Sequence, residues 1–327
     1  MRKLSSSSEP KPSLYQEITE RIITELEQGH VPWVQPWEGA RCALGLPRNG
    51  LTERAYSGIN ILILWDAVIQ RGFSSQRWLT FRQALSAGGS VRKGEKGITI
   101  CYADRFVPRE EKARAAETGE EAATVPFLKR YTVFNVEQCE NFPNRAGEPA
   151  RLVHDADIVP AAEALMVATG ADIRIGGDKA FYHYREDYIR LPPQASFFAP
   201  INYYRTAFHE LGHWTGHASR LGRNLTNRYG SEGYAREELV AELASAFLCA
   251  SHAIEPTVRH ADYIGAWLSV LRDDARAIFQ AASMASKAAV FIFGSPELQS
   301  DTKDGVCQQI PVQESRVASE RWANNLP

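Results

Sequence analysis

The spacing of apolar residues divides the chain into a run of short helices and strands. Residues 15–28 carry Ile18, Ile22, Ile23 and Leu26 at helical spacing and are followed by Gly29, which predicts a helix with a glycine stop. Pro32, Pro36 and Pro47 break the next stretch into loop. Residues 60–71, ended by Gly72, read as an amphipathic helix, and residues 80–87, ended by Gly88 and Gly89, as a shorter one. A polar turn at 92–97 leads into a strand at 98–102, and strand character returns at 127–136. The connection between them looks like that of a long hairpin. Its 109–124 portion is charged and alanine-rich, and reads as a solvated excursion or a flexible insertion. After an Asn/Pro/Gly-rich linker at 141–149 come a helix at 158–169 and strands at 173–175, 181–184 and 188–191. Helices at 204–217, 236–249 and 258–286 complete the pattern, with a loop at 221–231.

This order predicts an α+β protein of two units, 14–145 and 150–295, with a disordered polar lead-in at 1–13 and a polar tail at 296–327. At 327 residues the chain has length for both, and 44% hydrophobic and 23% charged residues are ordinary globular values. The net charge of -2 hides a local balance of +6 over residues 41–105, from ten Arg/Lys against four Asp/Glu. The five cysteines are scattered with no CxxC pair, which argues against a cysteine-based zinc site or a disulfide framework and for a reducing cytoplasm. The first 12 residues contain no apolar core of a secretory signal. The apolar stretch at 59–68 is too short to span a bilayer and contains Asn60 and Asp66, so no membrane segment is expected.

Candidate chemistry concentrates in His209-Glu210-Leu211-Gly212-His213, an HExxH sequence. On a helix, residues four apart share a face, so His209 and His213 can grip one Zn²⁺ per chain. Glu210, one step round, is the candidate general base. Gly212 and Gly216 each cost about 1 kcal/mol inside a helix, which predicts close approach of another backbone on that side. Ser219 stands where a third histidine would complete the HExxHxxGxxH pattern, and His217 lies a turn too far along the axis, so it is read as a surface or supporting residue. The gluzincin solution is a glutamate on a later helix. Glu238 and Glu242 are both placed to supply it. We take Glu238 as the third ligand and Glu242 as the acceptor that orients a histidine N–H. The reverse assignment stays open. Glu237 is expected to point away into solvent.

The N-terminal half mixes aromatic and basic residues, the combination used for single-stranded nucleic acid, where bases stack on rings and cations meet phosphates. Trp33 and Trp37, in the proline loop, are the preferred exposed rings. Trp65 is expected in the core, and Trp78 and Phe81 are evenly balanced between the two roles. Tyr56, Arg48, Asn49, Arg82, Arg92, Lys93 and Lys96 complete the candidate contacts.

Pro32-Trp33, Pro36-Trp37, Leu46-Pro47-Arg48-Asn49, Tyr56-Ser57-Gly58-Ile59-Asn60, Trp78-Leu79-Thr80-Phe81 and Val91-Arg92-Lys93-Gly94-Glu95 resemble the N-terminal domain of ArdC-type antirestriction proteins. The stretch from His209 to His217 and Glu237-Glu238-Leu239-Val240-Ala241-Glu242 resemble that family's zincin-like C-terminal domain. The resemblance covers about residues 14–295. It implies a protein of mobile elements that binds single-stranded DNA and protects incoming DNA from restriction, with a host restriction enzyme as a possible second partner. Composition and spacing by themselves show none of this. They leave open a second reading, a cytosolic zinc metallopeptidase whose N-terminal unit recognises a protein. A third, a DNA-binding protein with a purely structural metal, is disfavoured by Glu210, because structural sites have no use for a base and are closed by four protein ligands.

Overall fold

A computed structural model describes residues 12–34, 42–142, 158–257 and 263–294. Trp37, most of the 141–149 linker, nearly all of the lead-in and the whole 296–327 tail lie outside the described residues. The first half contains α1 (Leu14–Glu27), β1 (Arg48–Asn49), α2 (Ile59–Arg71), β2 (Arg77–Thr80), α3 (Phe81–Ser86), β3 (Ser90–Val91), β4 (Ile98–Phe106), α4 (Arg109–Thr118), β5 (Val125–Asn135) and β6 (Cys139–Glu140). The second contains α5 (Pro160–Ala168), β7 (Asp172–Ile175), β8 (Phe181–His183), β9 (Tyr188–Leu191), α6 (Ile201–Trp214), α7 (Glu232–Ser251), α8 (Ile264–Asp273) and α9 (Ala277–Phe293).

Local chemistry accounts for the boundaries. Ser13 and Gln16 form a capping box at the start of α1, each side chain accepting the other's backbone N–H. Thr80 and Gln83 do the same for α3. Gly72 ends α2 in the left-handed region at φ 63°. The long hairpin is β4 against β5, antiparallel from Ile98↔Val133 to Phe106↔Val125, inside a sheet of order β1-β2-β5-β4. Both strands run further towards the connection than the apolar pattern predicts. The charged 109–124 portion contains α4, a helix that buries no residue and is tied by Arg114 to Glu111 and Glu120, which resolves the expectation in favour of a solvated excursion.

The N-terminal half does not close on itself. Helix α1 packs on α8, and α2 lies against both β4 and α9. Helix α2 is therefore buried along most of its surface rather than amphipathic. Its buried Asn60 donates to the Cys101 carbonyl at 2.7 Å and accepts the Cys101 N–H at 2.8 Å, pinning the helix to β4. Trp65 meets Phe247 of α7 edge to face at 5.9 Å, and Trp33 meets Trp267 of α8 at 5.5 Å. The main apolar core runs through both halves, and a small separate cluster of Leu79, Ala84 and Val136 lies under α3.

In the second half β7 and β9 run parallel and β8 antiparallel, in the order β7-β9-β8. Helix α6 packs on this sheet, α7 on α6, and α9 on α7. The single helix expected at 258–286 is two. Asp274 takes an extended conformation at φ -138°, accepts the Arg276 N–H at 2.8 Å and holds Arg236 at 3.1 Å. An aspartate that bonds a nearby backbone N–H competes with the helix ladder, which explains the break. Among the described residues no helix is long and apolar enough to cross a membrane. Cys42, Cys101, Cys139 and Cys249 are free thiols. Burial pushes Cys42, Cys101 and Cys249 up to about 12, far from reactive thiolates.

Candidate metal centre

Helices α6 and α7 meet backbone to backbone. A Cβ added to Gly212 would lie 3.1 Å from the Ala241 Cα, tighter than ordinary van der Waals contact, so glycine lets the two backbones approach without displacing either helix. That contact turns the 209/213 face of α6 towards the 238/242 face of α7. Gly216 behaves differently from expectation. It follows the end of α6, and its missing side chain makes room for Leu225 and Arg223 of the returning loop. His217 is also off the helix, in the turn that follows, where its Nδ1 pairs with the Ser219 hydroxyl at 2.8 Å.

The predicted residues come together as follows. His209, His213 and Glu238 each offer one ligand atom, and all lie within 4.8 Å of one another. The His209 and His213 Nε2 atoms are 3.2 Å apart. Glu238 reaches His209 Nε2 with Oε2 at 3.4 Å and His213 Nε2 with Oε1 at 3.6 Å. Ligand atoms about 2.1 Å from a tetrahedral ion stand about 3.4 Å apart, and each of these three contacts is close to that length. Two imidazole lone pairs facing each other this closely repel unless a cation or a proton lies between them. The donor set fits a divalent metal on both counts. A Zn²⁺ held there would supply a Lewis acid and lower the pKa of a coordinated water.

Each histidine donates its other ring N–H to a carboxylate, which orients both Nε2 atoms inwards. His209 Nδ1 donates to Glu242 Oε2 at 3.1 Å, so Glu238 lies on the Nε2 side of that ring and Glu242 on the Nδ1 side. His213 Nδ1 donates to Glu237 Oε1 at 3.1 Å. Glu237 therefore does not point into solvent as expected. It is held by Arg223, whose Nε reaches Oε2 and whose Nη2 reaches Oε1, both at 2.9 Å. The same guanidinium donates to the Gly212 carbonyl at 2.6 Å and the Thr215 hydroxyl at 2.9 Å. The sequence carried one usable signal: two histidines need two acceptors besides a ligand, and Glu237, Glu238 and Glu242 stand within six residues on α7.

Electrostatics follow from this packing. Burial alone would depress both histidines, but the carboxylates outweigh it and raise His209 above its ordinary value and His213 to about 10. Burial would raise Glu238, yet hydrogen bonds from the two rings hold it well below the usual carboxylate range. Tyr234, one turn before Glu238 on α7, is pushed up by burial and by hydrogen bonding to Tyr263, 3.0 Å away, and to Glu238. Glu210 is buried beside His209, and its charge helps raise that ring.

The nucleic-acid candidates scatter. Trp33 and Trp78 are both 0% exposed, so neither offers a ring face to a base. Trp33 is sealed by Trp267 and Trp78 by Phe73, because α8 and the α2–β2 connection cover them. Tyr56 and Asn49 are half-buried, and Asn49 holds the 49–52 turn by accepting the Leu51 and Thr52 N–H groups. Arg48, Arg82, Arg92, Lys93 and Lys96 are exposed, and Arg92 pairs with Glu95 at 2.7 Å.

Residues 12–134 match the N-terminal domain of anti-restriction factor ArdC, and residues 160–284 match a zincin-like metallopeptidase family. The chain is 38% identical over 313 residues to DNA primase TraC of Escherichia coli, covering 90% of this chain but only 28% of that protein. It is 36% identical over 282 residues to the uncharacterized protein y4eC of Sinorhizobium fredii (strain NBRC 101917 / NGR234), covering 84% of this chain and 90% of that one. Among solved structures it resembles the antirestriction ArdC protein from plasmid R388. The metal-free form gives a TM-score of 0.73 at 39% identity, over 88% of this chain and 98% of that one. The Mn(II)-bound form gives 0.71 at 38% identity, over 88% and 99%. With this match along both halves, the chain belongs to the ArdC antirestriction family and carries a zincin-like domain in its C-terminal part.

Proposed function

We propose that this protein binds single-stranded DNA through its N-terminal half in the cytoplasm and shields incoming mobile-element DNA from host restriction. Its zincin-like half holds one Zn²⁺ on His209, His213 and Glu238, with Glu210 as general base and Glu242 orienting His209. The observation that carries the metal assignment is the convergence of one ligand atom each from His209, His213 and Glu238 within 4.8 Å of one another, with the two Nε2 atoms 3.2 Å apart. The DNA assignment is supported by family membership and by the basic surplus of residues 41–105. DNA is the substrate class implied by the names of the primase relatives, although the chain spans less than a third of their length.

Masking a strand needs no hydrolysis, whereas cleaving a restriction subunit would use Glu210. We favour masking, because single-strand binding already places the protein on the DNA that enters the cell. The test is transfer of a restriction-sensitive plasmid into a restricting host, with and without this protein, alongside binding of labelled single and double strands across a salt series. Protection together with tighter, salt-sensitive single-strand binding is expected. Undiminished restriction, or no affinity for single strands, sinks the proposal.

A further inference from the structure

With Trp33 and Trp78 buried, Phe81 is the aromatic ring exposed beside arginines among the described residues of the N-terminal half. Phe81 and Leu85 are each 51% exposed, and they stand four residues apart on one side of α3. Leu51, 42% exposed, is brought beside them. Asn49 holds the turn that carries Leu51 and donates to Gln83 of α3 at 3.2 Å. Three large apolar side chains gathered at one surface of a soluble chain mark a contact surface rather than chance exposure.

Arginines outnumber acids around them: Arg48, Arg54 and Arg82 are exposed on the same two segments, which carry one acid, Glu53. Arg82 forms no ion pair among the described residues, and Arg48 donates only to the Glu53 carbonyl, at 3.0 Å. Between residues 42 and 94 the acids are Glu53 and Asp66, and each already holds an arginine, Arg77 at 3.2 Å and Arg21 respectively. Arg48 and Arg82 therefore have no ion-pair partner among the described residues. An exposed ring among uncompensated cations suits a polyanion that also offers flat apolar faces.

We propose that this face, with Phe81 at its centre, is the docking surface for single-stranded DNA. The inference rests on the DNA-binding reading above and locates its site. Bases stack on Phe81 and lie against Leu85 and Leu51, while phosphates meet Arg82, Arg48 and Arg54. Duplex fits poorly, because its base faces are already stacked and α3 has only six residues to offer a groove.

The experiment is fluorescence anisotropy of the full-length protein with a labelled 20-nucleotide oligo(dT), at several salt concentrations. Phe81→Ala should weaken binding about tenfold or more, since stacking on an aromatic is worth roughly 1–3 kcal/mol per base. Phe81→Trp should restore it. Arg82→Ala should flatten the dependence of log K on log salt by about 0.7, the value of one phosphate contact on a single strand. Because Phe81 and Arg82 are exposed, both variants should melt with the wild type, and circular dichroism checks this. If wild-type protein binds the oligonucleotide and Phe81→Ala and Arg82→Ala bind it equally well, the docking surface is wrong while the DNA-binding reading stands. If wild-type protein does not bind at all, that reading falls and takes this site with it. Equal losses for a blunt duplex would also overturn the stacking site.

Discussion

Glu237 accepts the Nδ1–H of His213 at 3.1 Å, and Arg223 clamps both of its oxygens at 2.9 Å. His213 is thus backed by a carboxylate that is itself anchored, and His209 is backed by the Glu242 carboxylate, also on α7. Arg223 comes from the loop after α6, so that loop is coupled to the geometry of the metal centre.

Glu237→Ala should reduce metal affinity by about 10- to 100-fold, as loss of an orienting carboxylate typically does. It should also destabilise the metal-free protein by about 3–5 kcal/mol, because Arg223, 7% exposed, would be left buried without its partner. Glu237→Gln keeps an acceptor for the His213 N–H and should retain more of the affinity. Competition with a chromogenic chelator measures the first effect and denaturant unfolding in chelator the second. Equal zinc affinity in wild type and Glu237→Ala would show that the contact does not support the ligand.

Metal and protons compete for the same nitrogens, which sets the pH dependence. Without metal the His213 pKa is raised from 6.5 to about 10, so its protonated form favours the folded state. That stabilisation is complete below 6.5 and disappears as pH climbs through about 10. The depressed Glu238 contributes with the opposite sense: its stabilisation is present above 4.5 and is lost as pH falls towards its lowered value. The metal-free protein should therefore be most stable between 4.5 and 6.5 and weaken from 6.5 to 10. Zinc affinity should rise over that upper interval, with proton release on binding. Thermal melts in chelator that stay level or improve there would contradict this coupling.

Glu210→Gln should keep zinc, fold and single-strand binding while abolishing any peptide hydrolysis, because an amide cannot take up the proton. Elemental analysis, melting temperature and the anisotropy assay check the retained properties, and casein turnover the lost one. Plasmid protection should persist under the masking reading. Its complete loss with zinc and DNA binding intact would make hydrolysis the protective activity.

Gly212→Ala should separate α6 from α7. The atom met at 3.1 Å is backbone, the Ala241 Cα, which cannot swing aside as a side chain would. A cost of about 1–3 kcal/mol is expected from the overpacking, larger than the roughly 1 kcal/mol of helix propensity gained. Zinc affinity should fall with it, since His213 and Glu238 stand on opposite sides of the contact. A variant with unchanged zinc affinity and a higher melting temperature would show that the helices can relax.

How much was legible in the chain depended on the range of the interaction that decides it. Sequence by itself determined most of the helices and their glycine stops, the placement of His209 and His213 on one helical face with Glu210 beside them, the candidate pair Glu238 and Glu242, and the α+β class. These are set by periodicity and by neighbours within a turn or two, and a linear reading contains them. Tertiary structure alone decided what depends on residues far apart in the chain. Trp33 is buried because α8 delivers Trp267 to it. Glu237 turns inwards because Arg223 and His213 flank it, although on spacing alone it lay on the side of α7 assigned to solvent. The helix expected through 258–286 breaks where Asp274 bonds the Arg276 N–H and the distant Arg236. Burial and partner choice are properties of the packed whole, so no local pattern of polar and apolar positions could have specified them.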